Sequence, residues 1–249
     1  MTLKKHIPNL ITSLNLAAGF IAIVFAARND LIISSLIILA AMAFDFLDGF
    51  SARLLKAYSP IGKEFDSLAD IVSFGIAPAM IIFKLIESPE QVADSVLLNS
   101  GFFSNPEILK YFSVLMPVFA ALRLAKFNID TTQSRSFKGL PTPANALAVI
   151  SVVIAAHFSG SGIYRSFLRS PLILTIYTII LSLMMVSRIP LISLKMSNLH
   201  FRGNERQYIL FGLIIISLII MRIDSAPLII PFYIMASLIP SRSDPNPGK

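Results

Sequence analysis

The chain has 249 residues, of which 55% are hydrophobic and only 14% charged, with a mean hydropathy of +0.75. A soluble domain carries about 25% charged residues, so these values exclude an ordinary water-soluble fold and point to a polytopic membrane protein. The net charge of +7 then reflects Lys and Arg in cytoplasmic loops facing anionic lipid rather than nucleic-acid binding, and the absence of Cys excludes disulfides and thiolate chemistry.

Eight apolar segments follow in chain order, at roughly 8–27, 31–55, 63–86, 108–128, 143–158, 171–187, 207–223 and 226–240. A crossing of ~30 Å of hydrocarbon takes ~20 residues; the fifth and the last segments are short. The first is preceded by "LKKH" and ends "FAAR", as a signal peptide would. Asn15 interrupts it, however, and the next apolar segment begins after only three residues, as in a helical hairpin. With a cytoplasmic N-terminus and eight spans, fifteen Lys and Arg fall inside and six outside, the positive-inside arrangement. The expectation is an all-α polytopic membrane protein with about eight transmembrane helices, integral to the cell (inner) membrane, with both termini cytoplasmic. Residues 1–240 are expected to form one transmembrane unit and 241–249 a disordered tail.

On the first helix, Asn9, Thr12 and Asn15 form a polar stripe. It suits interhelical hydrogen bonding and contact with a polar ligand equally well. On the second, Asp45 and Asp48 share a face, and the small Gly49 and Ala52 continue it, so another helix or a bulky ligand can approach closely. A turn containing Ser59, Pro60 and Gly62 follows, and Asp66 and Asp70 share a face in the first turns of the third helix. Because the two helices are antiparallel, both pairs come to a similar depth near the cytoplasmic side. Four carboxylates cannot all stay ionised there without counter-charge. The bases of the turn, Arg53, Lys56 and Lys63, lie at the wrong depth to neutralise all four. Oxygen-only ligands suit Mg2+ or Mn2+, and two such ions ~4 Å apart are the usual device for phosphoryl displacement. His6, His157 and His200 share no metal-ligand spacing and read as interfacial or packing residues.

Further along, Arg123 and Lys138 read as cations for anionic substrate groups, and Arg135 as a topology anchor. Gly139, Pro141 and Pro143 either break the chain before the fifth helix or shape a re-entrant loop, which is tolerated where it lines a wet cavity. A cation transporter or proton relay is the competing reading of buried acids. Against it, these acids cluster at one end of two adjacent helices rather than at the midplane between repeats.

The stretch "DFLDGFSARLLKAYSPIGKEFDSLAD", residues 45–70, reads D-x2-D-G-x2-A-R-x8-G-x3-D-x3-D. It resembles the signature of the CDP-alcohol phosphatidyltransferase family at all eight fixed positions: Asp45, Asp48, Gly49, Ala52, Arg53, Gly62, Asp66 and Asp70. With "IPNLITSLNLAAGF" at the N-terminus, "SLADIVSFGIAPA", "RLAKFN" and "FKGLPTPANA" resemble the membrane-embedded branch of the family whose acceptor is serine. Together they extend the resemblance over about the first 150 residues. Lys126 stands where the family commonly has Arg, keeping the charge but not the bidentate fork. The resemblance implies a six-helix core that joins CDP-diacylglycerol to L-serine and releases CMP, with two divalent ions, Mg2+ or Mn2+. It implies that Asp45, Asp48 and Asp66 ligate metal, and that Asp70 contacts metal and serves as base. Gly49, Ala52, Arg53, Gly62, Thr12, Asn15 and Arg123 are candidates for the CDP-lipid, and Lys138 and Asn128 for serine. A homodimer is expected on the same ground. The alternative within the family is another acceptor, glycerol 3-phosphate or an inositol compound.

Overall fold

The computed structural model of the chain describes residues 6–88, 105–129, 136–160, 162–192 and 204–239. The expected disordered tail, Arg135, His200 and most of the loop after the third helix lie outside them.

The N-terminal half is a run of long helices. Helix α1 spans Ile7–Ala27, α2 Leu31–Leu54, α3 Pro60–Ile86 and α4 Pro106–Ile129. Then come strand β1 (Ser136–Lys138), helices α5 (Thr142–Phe158), α6 (Gly162–Leu168) and α7 (Pro171–Val186), and strand β2 (Pro190–Ile192). Helices α8 (Glu205–Met221) and α9 (Ile229–Leu238) complete the chain, joined by a 3-10 turn.

The helix starts follow from local chemistry. At α3, Ser59 is the N-cap, its Oγ accepts from Gly62 N–H at 3.0 Å, and Pro60 takes the first helical position. At α4, Asn105 Oδ1 accepts from Glu107 N–H at 3.0 Å ahead of Pro106. At α7, Ser170 Oγ accepts from Ile173 N–H ahead of Pro171. A side-chain oxygen answers an otherwise orphaned N–H, and proline gives up a donor that has no helical partner there.

All eight expected apolar segments are helical. Among the described residues, five helices are long and apolar enough to cross a membrane, or six if α6 and α7, bent by 83° to each other, form one broken span, short of the eight expected; α5 is shorter, at 17 residues. Residues 205–238 count as one 34-residue span by those criteria. A straight helix of that length would run ~50 Å, well beyond the hydrocarbon. Arg222 interrupts it with φ 51°, and α8 and α9 pack on each other.

Helices α3 and α5 form the middle of the bundle. Phe74, Ile81, Ile82, Met116, Ile150 and Leu174 are buried between them and their neighbours. Small residues let backbones close in. A Cβ on Gly75 would stand 3.3 Å from Pro117 Cα, and one on Gly19 would stand 2.8 Å from Ser73 Cα. Large apolar side chains such as Leu10, Phe46, Ile219 and Ile220 point outward, as on a lipid-facing surface. Helix α3 also carries a π-helical stretch, Ile71–Ile76, which begins directly after Asp70.

The only strand pairing among the described residues is short and antiparallel. Ser136 pairs with Ile192, Phe137 with Leu191 and Lys138 with Pro190. It ties the chain leaving α4 to the chain leaving α7, and so fixes the approach to α5.

Candidate active site

The four aspartates of the 45–70 stretch converge at the end of α2 and the start of α3, as the spacing predicts. Oxygens of Asp45, Asp48 and Asp66 all lie within 4.8 Å of one another. Asp70 is outside that close set but within electrostatic reach of all three. Asp48 and Asp70 are buried, and Asp66 Oδ1 is a buried oxygen with no hydrogen-bond partner.

Among the described residues, ion-paired counter-charge does not reach the cluster. The ion pairs Lys84–Glu87, Lys110–Glu87 and Lys110–Glu107 join α3 to α4 at their other ends. Two bases of the turn are engaged elsewhere: Arg53 Nε donates back to Gly49 O at 2.9 Å, and Lys63 Nζ to Asn128 O at 3.1 Å. Carboxylates so close in a low-dielectric bundle repel strongly. An all-oxygen set of three, with an orphaned buried lone pair, fits a hard divalent cation such as Mg2+ or Mn2+.

Helix α1 supplies the polar stripe, and its side chains meet the acids. Thr12 Oγ1 lies 2.7 Å from Asp48 Oδ2 and 3.0 Å from Pro8 O. Asn15 Nδ2 donates to Asp70 Oδ1 at 3.5 Å, and Asn15 O accepts from Ser73 Oγ at 3.0 Å. In this arrangement the stripe serves interhelical hydrogen bonding, on the acids themselves. Asn9 comes close to Gly62, where a Cβ would stand 3.0 Å from Asn9 Oδ1. Gly49 differs: nothing lies within 4 Å of where its Cβ would be, so that face of α2, with Ala52 one turn on, is open.

The other candidates separate. Arg123 is buried on α4, its Nε has no hydrogen-bond partner, and it stacks over Phe127 at 6.0 Å. Asp70 and Tyr233 lie within its electrostatic reach. A buried guanidinium with a free donor, facing the acid cluster, suits an anionic group. Lys138 ends strand β1. Asn128 is tied elsewhere: its Nδ2 donates to Glu64 Oε2 at 3.2 Å and Ser67 Oγ at 3.0 Å, bracing the end of α4 against the start of α3.

Two residues in the site were not singled out in the sequence, although they lie in one of the stretches that carry the resemblance. Thr142 Oγ1 donates to Asp70 Oδ2 at 3.5 Å from the first turn of α5. Asn145 Nδ2 donates to Phe74 O at 3.3 Å, where the π-helical stretch changes the carbonyl pattern. Both lie in "PTPANA", but Thr142 is 72 residues from Asp70, and no periodicity links them.

A family model described as CDP-alcohol phosphatidyltransferase matches residues 5–187. The chain is 31% identical over 238 residues to a CDP-diacylglycerol–serine O-phosphatidyltransferase of Helicobacter pylori (strain ATCC 700392 / 26695), covering 93% of this chain and 89% of that one. It is 31% identical over 185 residues to the Bacillus subtilis (strain 168) protein of the same name, covering 74% and 89%. An archaetidylserine synthase of Methanothermobacter thermautotrophicus is 29% identical over 155 residues, covering 61% and 60%.

Proposed function

Because the chain belongs to the CDP-alcohol phosphatidyltransferase family, we propose that it transfers the phosphatidyl group of CDP-diacylglycerol to the hydroxyl of L-serine. The products are phosphatidylserine and CMP. The observation that carries this is the likeness to serine O-phosphatidyltransferases over nearly the whole chain, joined to a close set of three aspartates outside the ion pairs that join α3 to α4.

Asp45, Asp48 and Asp66 would hold two divalent ions, Mg2+ or Mn2+, with Asp70 at the edge of the set. When bound, the metals neutralise the diphosphate and stabilise the charge developing on phosphorus oxygens and the leaving CMP. Everything else falls to side chains. Asp70 accepts the proton of the serine hydroxyl, whose oxygen forms the new bond to the β-phosphorus as the bond to CMP breaks. Asn15 and Thr142 each address one oxygen of Asp70, which orients the base. Thr12 orients Asp48. The open face at Gly49 and Ala52, with Arg53 and Gly62 beside it, receives the cytidine nucleotide, and Arg123 receives a lipid phosphate. Lys138 meets the serine carboxylate.

On this reading the acyl chains stay in the lipid of the cell membrane while the site opens to the cytoplasm, with both termini on that side. Residues 1–240 act as one catalytic unit, and a homodimer is expected from the family. The experiment is CMP release from CDP-diacylglycerol by the purified protein, with L-serine, glycerol 3-phosphate and inositol offered in turn. Release with L-serine is the expected result. Release with another alcohol alone would move the acceptor, and none with any would return the acids to ion or proton transport.

A further inference from the structure

Helix α9 lies beyond the residues matched by the family, 5–187, yet it grips the strand that closes on the site. Ile192 is held at both of its backbone groups. Its N–H donates to Ser237 Oγ at 3.1 Å, and its carbonyl accepts from Tyr233 OH at 2.9 Å. Ser237 Oγ in turn lies 2.7 Å from Tyr233 O. Both side chains are buried, at 3% and 6% exposure, so these bonds have no water to replace them.

What Ile192 holds leads to the site. It pairs with Ser136, and the same three-residue strand carries Lys138. Gly139 then donates its N–H to Ile189 O at 3.0 Å, and Leu140 to Met184 O at 2.9 Å. Gly139 has φ +79°, and a Cβ there would stand 3.0 Å from Met184 O, so the turn is close to the end of α7 and needs glycine. Two residues past Leu140 comes Thr142, on Asp70. A two-stranded pairing this short is not stable alone. Its place is set by what it is fastened to, the end of α7 on one side and α9 on the other. Tyr233 also lies within electrostatic reach of Arg123.

The geometry points to Tyr233 and Ser237 as positioning residues of the acceptor site, which act through Ile192 to fix the strand bearing Lys138 and the turn into Thr142. The inference rests on the serine reading for the alcohol offered in the assay and for Lys138 as the partner of its carboxylate.

The test uses the full-length protein in detergent micelles. Tyr233→Phe removes only the hydroxyl, and Ser237→Ala removes the bond to the other side of Ile192. Each should raise the KM for L-serine between about threefold and tenfold, the effect of one buried hydrogen bond. The KM for CDP-diacylglycerol should stay within about twofold, and kcat should fall by no more than the roughly tenfold limit set for loss of the Thr142 contact, since the same strand leads into Thr142. Lys138→Met combined with Tyr233→Phe should be no worse for serine than Lys138→Met alone by more than about twofold, since the two act on one element. Amide hydrogen exchange should quicken at 136–140 in both single variants and stay unchanged in α1. Unchanged exchange at 136–140, or an equal rise in both KM values, overturns the proposal. If the unsubstituted protein releases no CMP with L-serine, the serine reading fails by itself, and exchange at 136–140 decides the role of α9.

Discussion

Thr142 Oγ1 and Asp70 Oδ2 stand 3.5 Å apart across the seam between α5 and α3, while Asn15 reaches the other oxygen of Asp70 from α1 at the same distance. A carboxylate addressed on both oxygens from two other helices is aimed. Proton transfer depends on such aim, because a general base must lie within hydrogen-bond reach of the proton it takes. Thr142→Val should therefore lower kcat about threefold to tenfold with both KM values within about twofold, and Thr142→Ser should retain most of the rate. Steady-state CMP release measures this. A wild-type kcat for Thr142→Val would remove the hydroxyl from the orientation of Asp70.

The acid cluster makes opposite demands with and without metal. Unpaired carboxylates repel each other in the bundle, so a cation that binds only the folded state stabilises it by mass action. Mg2+ or Mn2+ should raise the Tm of the wild-type protein in detergent, and EDTA should abolish both that rise and CMP release. Asp45→Asn, Asp48→Asn and Asp66→Asn should each purify, lose most activity and lose the metal-dependent rise in Tm. A metal-dependent Tm rise that survives in Asp66→Asn would take that residue out of the ligand set.

Thr12 touches Asp48 at 2.7 Å rather than any space for substrate, so it should tune the site through its ligand. Partners of metal ligands typically govern metal affinity about tenfold to a hundredfold. Thr12→Val should raise the half-saturating Mg2+ concentration about tenfold and leave the rate at saturating Mg2+ within about threefold. A titration of activity against Mg2+ separates the two; an unshifted curve would leave Thr12 as an interhelical tie only.

Two glycines should respond in opposite ways. A Cβ at Gly19 meets Ser73 Cα at 2.8 Å, whereas one at Gly49 meets nothing within 4 Å. Gly19→Ala overpacks the α1–α3 contact and should cost about 1–3 kcal/mol of stability, seen as a lower Tm. Gly49→Ala should hold the Tm or raise it, since alanine favours a helix by ~1 kcal/mol. It should raise the KM for CDP-diacylglycerol if the nucleotide lies on that face. A Gly49→Ala protein with unchanged Tm and unchanged KM would leave that face free of substrate.

Arg123 and Lys138 should divide the two substrates. A charge-assisted hydrogen bond lost from a substrate carboxylate or phosphate costs about 1.5–3 kcal/mol. Lys138→Met should raise the KM for serine at least about tenfold with little change for CDP-diacylglycerol, and Arg123→Met should do the reverse. Initial rates with each substrate varied in turn decide it. If Lys138→Met leaves the serine KM alone, Lys138 is a topology anchor.

The helices and the heart of the site are legible in the order of residues alone. Hydrocarbon tolerates few polar groups, so 20-residue apolar runs stand out, and the helical period puts Asp45 with Asp48 and Asp66 with Asp70. A short turn between two antiparallel helices leaves their ends nowhere to go but together, and Asp45, Asp48 and Asp66 duly meet. Tertiary structure decided what local spacing cannot carry. It put Thr142 beside Asp70 from 72 residues away, and turned Asn128 to Glu64 and Ser67 instead of the acid cluster. It also fastened strand β2 to Tyr233 and Ser237 of α9. Periodicity gives the face a residue occupies on its own helix. Which helix that face meets, and at what height, is fixed by packing of the whole bundle: by close approaches at Gly19 and Gly75, the turn at Arg222, and a three-residue strand pairing that no hydropathy pattern records.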